Sequence, residues 1–422
     1  GYLFRCCRGS CKLFDHAYIF TGILSGEAMI QIETLMAVAG ALLLVSVFAN
    51  RISVFLGIPG LLIFIGIGML AGSDGIVRIQ FYDARMTNYI GTVALAFILF
   101  AGGLDTRWRD VRPVLAGGSL LATLGVVLTA LFLFLPAYYV LRLELPVALL
   151  LGVIVSSTDA PAVFMIMRTQ KAELRDNLRP LLEFESAGND PMAVLLSLGA
   201  LAWLQNSDFA AAGLAKMFVL QLVVGFAAGC GLGWLAGVLL KKICICYFGL
   251  YTVFGVGFVL LTFGVAQLLG GSGFLAVYVA GIIIGNRPFT YRRNLIRFHD
   301  SLAWIAQVGM FLLLGLLVNP RELPSVMPMG LLAAFFLIFF SRPAAVFICL
   351  WRSRFGWKEK LFVGWAGLKG AVPIILATYP LMIGFPDSQY LFNLIFFLVI
   401  GSVLLQGKTL PWLAARLDLY RK

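Results

Sequence analysis

Apolar runs of about 20 residues recur from Thr34 to the C-terminus, separated by short connections in which Lys and Arg gather. Each run is long enough to cross a hydrocarbon core about 30 Å thick as a helix. The pattern predicts spans at about 34–50, 54–72, 88–104, 114–140, 146–167, 183–205, 213–240, 249–269, 272–286, 302–319, 328–351, 360–380 and 388–413, thirteen in all. Strict alternation of apolar and polar residues, the mark of a transmembrane barrel, is absent, so the expected fold is an all-α polytopic membrane protein.

Two spans are interrupted by polar and helix-breaking residues. Span five carries Ser156-Ser157-Thr158-Asp159-Ala160-Pro161, and span twelve carries Gly367-Leu368-Lys369-Gly370-Ala371-Val372-Pro373. Matched interruptions seven spans apart predict two six-helix repeats, about 34–205 and 249–413, joined by a linking helix at about 213–240; a single linking span makes the repeats inverted relative to each other. Unwound backbone at membrane depth is tolerated only where protein buries it or it lines a cavity, so the broken helices of spans five and twelve are expected to cross near the midplane. The transport domain is then 32–415, followed by a short tail, 416–422.

Composition agrees with a membrane protein: 61% of residues are hydrophobic and 12% charged, with a mean hydropathy of +0.96, outside the range of soluble domains. A net charge of +12 raises nucleic acid as a partner, but the basic residues lie in short loops rather than in one patch with aromatics, so none is expected. They sort by side instead. Connections after spans one, three, five, seven, nine and eleven, with the end of the chain, hold twenty Lys and Arg; the opposite connections hold five, Arg78, Arg85, Arg142, Lys216 and Arg321, or eight with Arg5, Arg8 and Lys12. The bias predicts a multi-pass protein of the plasma (bacterial inner) membrane, with the start of span one outside and the C-terminus cytoplasmic. Residues 1–31 are an atypical N-terminal extension without assigned function, in which Met29 is a natural start. The cysteines, Cys6, Cys7, Cys11, Cys230, Cys244, Cys246 and Cys349, with only His16 and His299, lack the paired spacing of a zinc site, and no cofactor is expected.

Span six opens with Glu183-Phe184-Glu185-Ser186-Ala187-Gly188-Asn189-Asp190-Pro191. A carboxylate at a bilayer centre costs about 2.5–3.5 kcal/mol on the insertion scale, so Asp159, Glu185 and Asp190 in adjacent spans need compensation or a use. Half-helix ends present partial charges of both signs, and Asp159 and Lys369 are of the signs that would offset them. A snorkelling helix-end lysine is the other reading of Lys369, against which stand about nine apolar residues on each side of its motif. A hard monovalent cation needs several oxygens, and the Asp159, Asp190 and Ser186 side chains with the freed carbonyl near Thr158 supply them. Two carboxylates in one partly dehydrated pocket disfavour each other's ionisation, so a proton competes with a metal ion for the same place. A helix cap at Asn189-Asp190-Pro191 is the plainer alternative, against which stand two aspartates in adjacent spans; Glu183 and Asp208 are read as interfacial. Arg342, inside span eleven, requires a carboxylate partner, and Glu185 is the expected one. The repeat Gly225-x3-Gly229-x3-Gly233-x3-Gly237 in span seven reads as a packing stripe.

Thr158-Asp159, Glu185-Ser186-x-x-Asn189-Asp190, Arg342 and Gly367-Leu368-Lys369-Gly370-Ala371-Val372 together resemble the monovalent cation/proton antiporters of the NhaP and animal sodium/proton exchanger branch, over about residues 32–415. The resemblance implies thirteen helices, a dimerisation domain beside a six-helix core, a homodimer in the lipid bilayer, and elevator-like exchange of Na+ or K+ for H+. By position it implies an ion- and proton-binding set of Asp190, the essential carboxylate, with Asp159, Asn189, Ser186 and Thr158, the monovalent cation being held by Asp190, Asp159, Ser186 and Thr158, and it implies Glu185 with Arg342 as a buried ion pair. Asn189, where electrogenic relatives have aspartate, implies electroneutral one-for-one exchange. Lys369 stands where most of the branch has arginine, which resembles the bacterial potassium/proton subgroup. That subgroup usually adds a cytoplasmic regulatory domain, and the sequence ends at Lys422, so the expectation is either absent regulation or a truncated chain.

Two other classes need comparable features. An intramembrane aspartyl protease also uses two aspartates in adjacent spans, but its Gly-x-Gly-Asp context is missing and Gly188-Asn189-Asp190 leads straight into proline. A cation channel would need a filter repeat, and broken helices in inverted halves favour alternating access. The expected function is that of a secondary transporter, not an enzyme.

Overall fold

A computed structural model describes residues 26–420 apart from 57–59, 73–74, 77, 80, 82, 169–173, 175–176, 206–210 and 243–246. The expectations placed on residues 1–25, Lys171, Arg175, Asp208, Cys244, Cys246, Arg421 and Lys422 lie outside the described residues. Within those residues the chain is helical, with one isolated antiparallel bridge between Leu174 and Tyr420. In chain order the helices are α1 (Gly26–Leu56), α2 (Gly60–Ala71), α3 (Ala84–Asp105), α4 (Trp108–Tyr139), α5 (Leu145–Ile154), α6 (Ala160–Arg168), α7 (Leu178–Gln205), α8 (Ala211–Lys242), α9 (Phe248–Leu268), α10 (Gly273–Gly285), α11 (Arg292–Leu317), α12 (Leu323–Cys349), α13 (Trp357–Trp365), α14 (Ala371–Met382) and α15 (Ser388–Arg416). By length and composition α3, α4, α8, α9, α11, α12 and α15 each contain a stretch able to cross a membrane, while α2, α5, α10 and α14 are shorter apolar helices. α7 has 28 residues, its apolar run interrupted by Glu183, Glu185, Asn189 and Asp190.

Local chemistry sets several of the helix boundaries. Asp83 caps α3, accepting from Met86 N at 2.9 Å, and Ser272 caps α10, accepting from Leu275 N at 3.3 Å. Pro146 and Pro324 occupy first-turn positions of α5 and α12, where no backbone donor is needed. α4 and α12 each contain one π-helical turn, Leu121–Gly125 and Leu337–Ser341. The second precedes Pro343, which cannot donate; Ser341 Oγ donates to Phe336 O at 3.2 Å beside it.

The packing is reciprocal. α2 lies on α11 and α10 lies on α3, while the π turn of α4 packs on α12 and that of α12 packs on α4. At the first crossing Gly68 meets Gly315; at the second Gly281 meets Gly103, and a Cβ at any of the four would enter the opposing backbone. Close backbone approach matters here because lipid tails are as apolar as leucine, leaving van der Waals contact to hold helices together. The glycine stripe of α8 works in the same way: Gly225, Gly229 and Gly233 lie against Ser272, Ala276 and Ala280, and Gly237 against Arg287. Gly281→Val is expected to lower the melting temperature of the purified protein, since its neighbours are the Phe100 carbonyl and Gly103 backbone, which cannot swing aside. Overpacking of this sort costs about 1–3 kcal/mol. Gly264→Ala, where nothing lies within 4 Å, serves as the neutral control; equal melting of the two variants would mean that the α3–α10 seam is not tight.

Two breaks interrupt this packed array, one between Ile154 and Ala160, the other between Trp365 and Ala371. They touch: Asp159 N donates to Leu368 O at 2.8 Å.

Candidate ion site

Breaking two helices where they touch leaves four half-helix ends, with carbonyls on α5 and α13 and amides on α6 and α14 that have lost their helical partners. Lys369 reaches from the second break to the first, donating from Nζ to Ser157 O at 2.7 Å and Ser156 O at 3.4 Å. The Lys369 amino group thus lies at the carbonyl end of α5. Lys369 is fully buried, which excludes the snorkelling alternative. Asp159 takes the opposite role. Its Oδ1 accepts from Ala162 N at 3.0 Å, capping α6, and its other oxygen lies against Gly370, where a Cβ would collide with it. One carboxylate therefore faces the positive ends of both α6 and α14, and only glycine at position 370 permits the approach.

α7 brings its polar face to the first break. Ser186 Oγ donates to Thr158 O at 2.8 Å and accepts from Ala160 N at 3.0 Å, replacing helical bonds lost on unwinding. Asn189 Nδ2 donates to Thr158 Oγ1 at 2.6 Å. Asp190, one turn beyond Ser186, shares its face. Its Oδ1 is buried and has no hydrogen-bond partner. Pro191, having no N–H, also leaves the Ala187 carbonyl without its usual donor four residues on.

These groups open on a cavity of about 510 Å³. Ser157, Thr158, Asp159, Ser186 and Asp190 form one wall, and Tyr278, Asp300 and Gln307 of α10 and α11 the other. The cavity extends to Asp105, Arg179 and Glu183, on the side where Lys and Arg are concentrated. Arg179 and Glu183 pair at 2.8 Å with much of both side chains exposed, an arrangement worth at most about 1 kcal/mol. Asn189, Glu185, Arg342 and Lys369 do not line the cavity. Asn189 instead fixes the Thr158 hydroxyl, and Ser186 has one lone pair left after its two hydrogen bonds. The side chains of Thr158, Asp159, Ser186 and Asp190 carry oxygens of the type that binds a hard cation, and two of them, Asp159 and Asp190, are carboxyl groups that also accept a proton.

Behind this wall Arg342 Nη2 donates to Glu185 Oε1, both side chains being 1% exposed. A Cβ on Gly367 would run into the Arg342 side chain, so the guanidinium lies just past the end of α13, as Lys369 lies past the end of α5. Sequence reasoning missed Ser402 and Gln406 of α15, which bond to the second break. Their signal was present: two polar side chains four residues apart in an otherwise apolar stretch, 394–407, share one face. Tyr278 and Gln307 carried no comparable signal.

Residues 39–416 match the family described as "Sodium/hydrogen exchanger, transmembrane". The chain is 41% identical over 394 residues to the K(+)/H(+) antiporter NhaP of Alkalimonas amylolytica, covering 93% of this chain and 68% of that protein. It is 40% identical over 390 residues to the K(+)/H(+) antiporter NhaP2 of Shewanella oneidensis, covering 92% and 67%. The solved structure of the sodium proton antiporter MjNhaP1 from Methanocaldococcus jannaschii shares the fold, with a TM-score of 0.79 at 24% identity, over 91% of this chain and 99% of that one. With its matched region extending over nearly all of the described residues, the chain belongs to the transmembrane sodium/hydrogen exchanger family.

Proposed function

We propose that this protein exchanges a monovalent cation, Na+ or K+, for H+ by alternating access, one for one, with Asp190 as the group that takes either. The observation that carries this reading is that Asp190, a buried carboxyl group with an unpartnered oxygen, lines a cavity together with a second carboxyl group, Asp159. Two negative charges in a low-dielectric pocket repel each other, and either a cation or a proton relieves that repulsion. Ser186 and Thr158 complete the oxygen set, while Asn189 keeps the position before Asp190 neutral. Lys369 compensates the α5 end, and the Glu185–Arg342 pair fixes α7 against α12.

The membrane organisation belongs to the same proposal: thirteen crossings, six plus a linker plus six, with α8 as the linker. The reciprocal α2–α11 and α10–α3 crossings and the matching π turns of α4 and α12 support it, since a two-fold relation pairs contacts in that way. With the Lys/Arg-rich side cytoplasmic, the cavity opens inward. We assign the protein to the plasma membrane as a homodimer.

Purified protein in liposomes with an acid interior tests the function, the pH gradient being followed on adding KCl, NaCl or LiCl. The two relatives named as K(+)/H(+) antiporters make potassium the first cation to try. Saturable, reversible dissipation is expected. A lone carboxylate carries one cation one way and one proton the other, so with sodium as substrate and the voltage clamped by a permeant ion, the rate and the final gradient should ignore the imposed potential. A gradient that tracked the voltage would mean more than one proton per cation, with Asp159 taking part; flux that did not saturate would indicate a channel.

A further inference from the structure

An unbroken helix through α13 and α14 would pair Lys369 N–H with Trp365 C=O, four residues back. The break separates that donor from that acceptor, and both are satisfied by side chains of α15. Lys369 N donates to Ser402 Oγ at 3.2 Å, the Ser402 hydroxyl donates to Gln406 Oε1, and Gln406 Nε2 donates to Trp365 O at 2.8 Å. Polarity runs in one sense along the whole relay, which begins and ends on the two groups of the missing helical bond. Ser402 is 0% and Gln406 1% exposed. One turn further on, Trp365 Nε1 donates to Thr409 Oγ1 at 2.9 Å, tying the same helix end to α15 again.

We propose that Ser402 and Gln406 are positioning residues for cation/proton exchange, holding the second break in the unwound form that places Lys369 and Leu368 at the crossing. This role rests on the antiport reading above. Without the relay two backbone groups are buried unpaired, and they re-pair most readily by winding residues 367–370 into helix. Winding withdraws Lys369 Nζ from the Ser156 and Ser157 carbonyls and turns Leu368 O away from Asp159 N, whose carboxylate then leaves its place against Gly370. Asp159 lines the ion cavity and the α15 residues do not, so the effect on ions passes through the crossing.

Ser402→Ala and Gln406→Met, the latter close to isosteric, are expected to raise the cation concentration for half-maximal exchange about three- to tenfold, the size expected for one lost hydrogen bond. The rate at saturation should change less. Ser402→Thr keeps the hydroxyl and should stay near the unmodified protein. Absence of exchange by the unmodified protein in the same liposomes overturns the antiport reading and the relay's role together. If the unmodified protein exchanges and both Ser402→Ala and Gln406→Met keep its half-saturation while only melting earlier, the relay is merely structural and the proposal fails alone. Should a variant fail to fold, amide hydrogen exchange of the unmodified protein decides. Slow exchange at Lys369, comparable with α14, is expected from a bonded amide, and exchange as fast as in an open loop overturns the relay.

Discussion

Asp190→Asn is expected to reduce exchange of every cation to the rate of protein-free liposomes while leaving the protein folded. The substitution keeps the shape of the side chain and removes its charge and its capacity to take up a proton. Asp190 Oδ1 has no hydrogen-bond partner to lose, and a buried carboxylate near Asp159 is replaced by a neutral group, so melting should hold steady or rise. Asp159→Asn differs in a way that separates the two roles. Its amide oxygen can still accept from Ala162 N, but the negative charge facing the ends of α6 and α14 is gone. Activity should fall and melting should fall with it. Yield by size exclusion, melting in detergent and exchange per folded molecule check all three statements. Saturable transport by Asp190→Asn would move the ion site elsewhere.

Much of this site was legible in the sequence because a bilayer leaves little freedom. Every backbone polar group at membrane depth must be bonded within protein, so apolar runs become helices and the places where Gly, Pro and charge interrupt them become sites. That reasoning located Ser156–Pro161 and Gly367–Pro373. It was less informative about helix ends. α11 begins at Arg292, well before the apolar run at 302, because hydropathy marks the lipid-facing part of a helix while hydrogen bonding continues through the polar turns beyond it. It also could not say which oxygens are already engaged. In the sequence Thr158, Ser186 and Asn189 read alike as polar groups of one site, yet Asn189 bonds the Thr158 hydroxyl and Ser186 bonds its carbonyl. Such pairings are made by the way α7 is laid against the break, and a list of donors and acceptors does not contain them. Ser402 and Gln406 escaped for the same reason: their partners are backbone groups that would have been bonded within an unbroken helix.

Removing either member of the Glu185–Arg342 pair is expected to cost about 3–5 kcal/mol, because the partner left behind is a buried, uncompensated charge. Each side chain is 1% exposed, so neither can turn to water without moving α7 or α12. Arg342→Met leaves the Glu185 carboxyl buried without its partner, and Glu185→Gln leaves a guanidinium beside Gly367 with only an amide to face. Both should give little folded protein, and what folds should melt well below the unmodified chain. Changing both together, Glu185→Leu with Arg342→Met, should recover part of the loss, since an ion pair swapped for apolar groups of similar volume is often close to neutral. Cation affinity per folded molecule should change little in any of the three, as neither residue lines the cavity and their side chains bond to each other rather than, like Ser402 and Gln406, to the backbone of a break. Melting and the half-saturating cation concentration, measured on the same preparations, discriminate. If Glu185→Gln melted normally and shifted cation affinity severalfold, Glu185 would have to be counted among the ion ligands, and the division of α7 into an ion-facing side and an anchoring side would be wrong.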